Sequence, residues 1–356
     1  MQRVVPVRGE VGAVSRRPLS DEAVTALHGA GGELMGRLLS EHILPRFSLR
    51  SLGSIGLDAL DDGATLELPP GVPVITTDSH VVKPIFFPGG DIGRLAACGT
   101  VNDLAVMGAR PLAMTLGLLI EEGFPIADLE RIITSAAEVL EGLGVALVAG
   151  DTKVMGKGEL DGIAINTTGI GVAARPISDA GLSPGDAIIV TGPVGDHGFA
   201  LLSAREDLLL ESRLSSDVAS IWPLVARALS VGGVKAMKDP TRGGIAAALN
   251  ELARKSHVGI EIEEERIPVR DEVRGLSELL GISPYEVACE GRALIGVAPD
   301  RAEELLLALR EHPLGREAAI IGRAIEGYPG RVILNTAVGG RRLLEMPLGD
   351  PVPRIC

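Results

Sequence analysis

The chain has 356 residues, 34 Lys and Arg against 47 Asp and Glu, and a formal net charge of −13 at pH 7. That balance argues against a protein that replaces counterions along a phosphate backbone, and five Phe, two Tyr and one Trp are too few for base-stacking platforms, so no nucleic acid partner is expected. The length suffices for two packed domains.

The start, Met1 to Arg16-Arg17-Pro18, holds no apolar core of signal-peptide length. The most apolar window, Leu112 to Ile120, is far short of the about 20 residues a transmembrane helix needs, so no membrane span and a cytoplasmic location are expected. Cys98, Cys289 and Cys356 are widely separated and form no CxxC, which points away from a zinc knuckle or a disulfide framework.

In chain order, residues 1–45 read as an arm with glycines at 29, 31 and 32 ahead of a short helical pattern. Residues 46–175 alternate β-branched, Gly-bounded strand segments (71–78, 144–151 and 165–173) with one strong helix near 127–142. In that helix Leu129, Ile132, Ile133, Ala136, Ala137 and Leu140 share a face. Pro, Gly and Ser crowd 175–185, a linker signal. A second domain then runs over 176–345, with a strand-rich start at 186–198 and helices near 243–256 and 300–312, the first of them with Thr241 as a possible cap. The class is α+β or α/β. In the last stretch, 346–356, Pro347, Pro351 and Pro353 forbid a helix and favour an extended strip. At roughly 3 Å per residue such a strip could carry Cys356 some 30 Å from the domain, a tethered, mobile thiol rather than a merely frayed end.

Asp62, Asp78, Asp103 and Asp151 fall at segment boundaries rather than on periodic solvent faces. Each alone reads equally as a turn aspartate that caps backbone amides; carboxylates that converge from such ends, however, repel one another without a cation, and Mg2+ carrying a nucleotide triphosphate fits a cluster of oxygen ligands. Gly89 and Gly90 in FFPGGDIGRL, and the glycines of TGPVGDHG and KDPTRGG, sit where a backbone could approach an anion, although no Walker A or GxGxxG motif occurs. Lys153 and Glu290 each border an apolar run, as solvated ends or as groups poised for proton transfer. His28, His80 and His197 have no metal-ligand spacing, and no histidine site is expected.

Taken together, HGAGG, TTDS, FFPGGDIGRLAACGTVNDLAVMGARP, VAGDTKV, INTTGIG, GDHG, TRGG, EGR and the terminal PRIC resemble the HypE family of carbamoyl dehydratases, which mature NiFe-hydrogenases. The likeness runs from about residue 25 to 356. Aminoimidazole ribonucleotide synthetase, selenophosphate synthetase and thiamine monophosphate kinase share the ATP-binding fold but not the tail. The resemblance implies a two-domain α+β fold of the aminoimidazole ribonucleotide synthetase type with a flexible C-terminal tail. It also implies a homodimer made through the first domain, with ATP near the interface. A HypF carbamoyltransferase would load Cys356, ATP would drive dehydration of the thiocarboxamide to a thiocyanate, and cyanide would pass to iron on a HypC–HypD complex. By the same resemblance Asp62, Asp78, Asp103 and Asp151 would bind Mg-ATP with Gly89 and Gly90 nearby, while Glu290 as base and Lys153 as charge-orienting group would flank the modified cysteine. Three positions depart from the family: Cys289 in place of Asn, Arg292 in place of Lys, and His80 in place of an aromatic residue.

Overall fold

The computed structural model describes residues 22–205, 214–349 and 351–355. The arm is fastened by Val24, which is buried and whose amide donates to the Phe124 carbonyl (2.8 Å). Its helical pattern is short: α1 (Glu33–Arg37) passes into one π turn and a 3-10 turn that contains Pro45 and ends at Arg46.

The first domain follows as β1 (Val72–His80), the hairpin β2 (Phe86–Phe87) and β3 (Gly90–Asp91), α2 (Ile92–Val106), β4 (Arg110–Glu121), α3 (Ile126–Leu143), β5 (Ala146–Met155) and β6 (Ile163–Ala173). Its four-stranded sheet has the order β1-β6-β4-β5, and α3 makes the crossover that allows β4 and β5 to run parallel. Asp91 starts α2, its Oδ1 accepting the amides of Gly93 (2.8 Å) and Arg94 (3.0 Å). The six apolar residues that share a face of α3 are all buried. Alpha 2 is buried on nearly every side, and Gly93 permits its close approach to α3: a Cβ there would lie 2.0 Å from the Ile132 carbonyl oxygen. Both helices cover one face of the sheet. The other face is largely open, with Ile75 72% exposed, except where Leu52 and Ala64 pack over Ala113, Ala146 and Val148.

No helix or strand occupies residues 174–186. The second domain comprises β7 (Ala187–Val190), α4 (Asp196–Arg205), α5 (Trp222–Val231), β8 (Val234–Lys238), α6 (Gly244–Ser256), β9 (Gly259–Glu263), α7 (Asp271–Leu280), β10 (Leu294–Val297), α8 (Ala302–Arg310), β11 (Ala319–Ile325), β12 (Val332–Asn335) and β13 (Arg341–Leu343). Its seven-stranded sheet has the order β13-β12-β9-β11-β7-β10-β8 and is antiparallel except for β9 and β12. The Thr241 side chain does not cap α6. Gly243 at φ 77° is the N-cap, and Thr241 contributes its carbonyl, which accepts from the Gly244 amide (2.9 Å). Glycine is required at 244, where φ is +59° and a Cβ would lie 2.6 Å from the carbonyls of Tyr285 and Val287.

One apolar cluster runs from α2 (Ile92, Leu95) through α4 (Phe199) and Val287 to the C-terminal strip (Val352, Ile355). Residues 351–355 therefore lie against the domains rather than reaching away from them. Val352 and Ile355 are buried, as two apolar side chains on a proline-stiffened strip are when a groove is at hand. Cys356 lies outside the described residues. Among the described residues no helix is long and apolar enough to cross a membrane.

Candidate active site

The first domain brings two of the expected carboxylates together. Thr76 on β1 donates to Asp103 Oδ2 on α2 (2.8 Å), and Asp78, two residues along the same strand face, lies 3.2 Å from His80 Nε2 and accepts the Ser79 amide (2.8 Å). Gly99 lets the helix close on this strand, since a Cβ there would stand 2.9 Å from His80 Nε2. From the second domain Asp239, just after β8, and Glu290, in the loop before β10, add their charges to the same field. Burial pushes Asp103 up, aided by the charge of Asp78. Burial and the charge of Asp103 raise Asp239 to about 7. Burial also acts to raise Asp78, but hydrogen bonding and charge from His80 outweigh it and hold that carboxyl below its ordinary range. Glu290 is 3% exposed and pushed well up, by burial first and then by Asp217, Asp239 and Asp78, with Arg242 opposing. Its Oε1 is buried with no hydrogen-bond partner among the described residues.

The Glu290 loop is held by Asp217. Oδ1 accepts the Glu290 amide (3.0 Å) and Oδ2 the Gly291 amide (3.3 Å), while a Cβ on Gly291 would fall 1.9 Å from the Asp217 carbonyl oxygen. Arg292 compensates the buried charge: Nε lies 3.3 Å from Asp217 and donates to the Pro193 carbonyl (2.9 Å), and Nη2 is 3.6 Å from Asp196. A forked guanidinium serves all three partners, which a lysine ammonium on a single stem does less well. Cys289, which stands in place of the family's Asn, turns inward. It is fully buried in the second domain's core, accepts the Gly195 amide at Sγ (3.3 Å), and is pushed well up by burial, so it is an inert thiol.

The remaining expected residues lie elsewhere. Pairing across the sheet runs Ser79–Asn166–Gly117–Asp151, one row along from Asp78–Thr167–Leu116–Gly150. Successive rows face opposite sides of a pleated sheet, so Asp151 and Lys153 lie on the open face, exposed, whereas Asp78 faces α2. Beta 1 and β5 are also opposite edges, three strand spacings or about 14 Å apart. Asp62 is exposed in the segment that folds over the open face between Leu52 and Ala64. Within one chain the four aspartates therefore do not form one cluster: Asp78 and Asp103 meet, and Asp62 and Asp151 lie apart from them. Gly89, at φ 94°, and Gly90 do not border open space: Cβ atoms there would lie 2.8 Å from the Ser216 carbonyl oxygen and 2.9 Å from Val218 Cγ1. Their smallness lets the hairpin pack against the second domain.

Among the described residues no three His, Cys, Asp or Glu side chains are grouped closely enough to hold a metal ion by themselves. Asp78, Asp103 and Asp239 do fit a cation that keeps most of its ligands from water and phosphate, as Mg2+ does, because their mutual repulsion calls for positive charge. Asp239, Arg242, Asp217 and His197 were not singled out as site residues from sequence. For the first two a signal existed in DPTRGG, an acidic and a basic residue beside a glycine-opened helix.

Two family models cover most of the chain: AIR synthase related protein, N-terminal domain, over residues 60–173, and AIR synthase related protein, C-terminal domain, over residues 183–335. A putative hydrogenase expression/formation protein of Methanocaldococcus jannaschii is 50% identical over 94% of this chain and 99% of its own length. A carbamoyl dehydratase HypE of Azotobacter vinelandii is 47% identical over 96% of this chain and 100% of its own. Among solved structures, hydrogenase maturation protein HypE in complex with ATP superimposes with a TM-score of 0.89 at 41% identity, covering 93% of this chain and 99% of that one. A HypE–HypF complex gives 0.76 at 44% identity over 82% of this chain and 94% of that one.

Proposed function

The chain belongs to the HypE family of carbamoyl dehydratases, built on the AIR synthase related architecture, and from that membership we propose that its substrate is a carbamoyl group on its own Cys356. A HypF-type carbamoyltransferase would load the thiol, and the S-cyano product would supply cyanide to hydrogenase iron through a HypC–HypD complex. The observation that carries this reading is the course of the tail: Ile355 is buried at Gly198 beside Val287, three positions before Glu290. The next residue is the cysteine.

An amide oxygen is a poor leaving group and phosphate a good one. ATP would transfer its γ-phosphoryl group to the carbamoyl oxygen as one N–H proton leaves, and loss of phosphate with the second proton would give the thiocyanate; the thiocarboxamide loses the elements of one water, its oxygen leaving in the phosphate, with ADP as the other product. Glu290 is the base proposed for the nitrogen. Burial among like charges raises its proton affinity, which makes its carboxylate a stronger base than an ordinary one. Asp78, Asp103 and Asp239 would hold Mg2+, which when bound neutralises phosphate charge. Asp62, Asp151 and Lys153 lie on the other side of the sheet from these groups, so the reading places them in the site of a second subunit paired through the open face. There Lys153 would orient the group that gains charge.

The test is intact mass and C-terminal fragmentation after incubation with the carbamoyltransferase, carbamoyl phosphate and Mg-ATP. A carbamoyl adduct on Cys356 that loses one water only when ATP is present is expected. An unmodified Cys356, with loading machinery active on a control protein, would overturn the reading in favour of an ATP-dependent enzyme of the same fold acting on a free small molecule. Such an enzyme would keep its turnover when residues 354–356 are removed.

A further inference from the structure

His197 is completely buried, and its surroundings specify its protons. The Ile355 carbonyl, which can only accept, lies 2.9 Å from Nε2, so Nε2 carries the hydrogen. Burial lowers the proton affinity of the ring and keeps it neutral. Nδ1 is then an acceptor, and Ser216 Oγ at 2.7 Å donates to it while accepting the Val218 amide (3.0 Å). The ring stands edge-on to Phe87, with centroids 5.4 Å apart. Two turns further along α4, Arg205 turns its fork to the same strip: Nη1 donates to the Pro353 carbonyl (2.6 Å), Nη2 to that of Arg354 (2.5 Å), and Nε to that of Lys83 in the first domain. The Lys83 amide returns a bond to the Arg354 carbonyl (3.2 Å).

We propose that α4 is a gauge that holds the C-terminal strip by its backbone carbonyls, with His197 as the positioning residue that fixes the carbonyl immediately before Cys356. Three consecutive carbonyls, 353 to 355, are read by two side chains of one helix. The side-chain contribution is a size limit at Ile355, because a Cβ on Gly198 would lie 3.0 Å from Ile355 Cδ1. The strip is thus read for register and length. The terminal thiol must stand one peptide unit beyond a carbonyl anchored in a buried site, and the hydroxyl of Ser216 keeps the imidazole in the tautomer that donates. This deepens the proposed self-dehydration by naming what places the substrate, and it rests on that reading for the chemistry but not for the anchoring.

Alkylation separates the two. Cys98 and Cys289 are both buried, so the early iodoacetamide adduct on the full-length folded protein reports Cys356, located by fragmentation and compared with a free peptide of sequence PVPRIC. Cys356 of the unsubstituted protein is expected to react several-fold more slowly than the peptide. Ser216→Ala and His197→Leu should each raise the rate by roughly fivefold, the population change that loss of one hydrogen bond produces, and His197→Gln, which restores an N–H donor at the same reach, should fall between. Ser216→Ala removes only a hydroxyl and stands in should His197→Leu not fold. Equal rates for the unsubstituted protein, the variants and the peptide would overturn the gauge, as would His197→Gln behaving like His197→Leu. In carbamoylated protein the variants should slow ATP-driven water loss at saturating ATP without changing the Kd for ATP. If alkylation follows the expected order while no dehydration occurs in the unsubstituted protein, the anchoring stands and the chemical reading is what fails.

Discussion

Asn102, on α2 of the first domain, donates through Nδ2 to the carbonyl of Glu290 in the second (3.2 Å). The same amide donates to the Ala219 carbonyl (3.0 Å), and its Oδ1 accepts the Ile221 amide (2.9 Å), so one buried side chain clasps the Glu290 loop and the segment beneath it. Asn102→Ala would strand the Ile221 amide and the Ala219 carbonyl away from water and leave the Glu290 carbonyl only the long bond from the Ala219 amide (3.4 Å). A loss of about 2–4 kcal/mol is expected from urea unfolding midpoints, together with slower dehydration as the Glu290 loop loosens.

The crowded carboxylates make the ligand-free protein sensitive to pH. Asp239 ionises near 3.8 when unfolded and about 7 when folded, so between those values the folded state binds more protons and stability falls as pH rises. Glu290, raised well above 4.5, acts in the same direction. The Tm of the nucleotide-free protein should decline from pH 4.5 to 7.5, and Asp239→Asn should flatten that decline. An unchanged slope in the variant would show that another group is responsible.

Arg292 is surrounded by Asp196 and Asp217, both nearly inaccessible to solvent. Arg292→Met should cost about 3–5 kcal/mol, because Asp217 loses its buried counter-charge, while Asp196 keeps Arg270 at 2.8 Å. Arg292→Lys keeps the charge but not the fork and should cost less than half of that; calorimetry of both variants gives the comparison.

Gly291 has no room for a side chain against the Asp217 backbone. Gly291→Ala must push the two segments apart, and we expect destabilisation of about 1–3 kcal/mol with an activity loss out of proportion to it, since the displaced neighbour is Glu290. Thermal melts set beside single-turnover rates separate the two effects.

If Lys153 acts in the partner's site, a mixture of Lys153→Ala and Glu290→Gln proteins should recover activity that neither has alone. Refolding the two together and following thiocyanate formation by mass gives the answer. No recovery, with mixed dimers verified by native mass spectrometry, would place both residues in the same site.

The amino-acid sequence by itself determined what depends on neighbours in the chain. The period of Leu129, Ile132, Ile133, Ala136, Ala137 and Leu140 marked α3 and its inner face, β-branched runs marked β1, β5 and β6, and the prolines marked a tail without a helix, though not that it bends back onto the domains. Quoted motifs were enough to indicate the family. Tertiary structure decided which charged groups meet. Asp78 and Asp151 both end strand-like patterns, yet they fall on opposite faces of one sheet because the pairing register, not the local pattern, assigns each side chain its row. Asp239 joins Asp78 and Asp103 only when the second domain docks on the first. His197, a core histidine by local context, becomes the anchor of Ile355 across 158 positions of chain. Contacts at that separation depend on how whole elements pack, and no period within a short window encodes them.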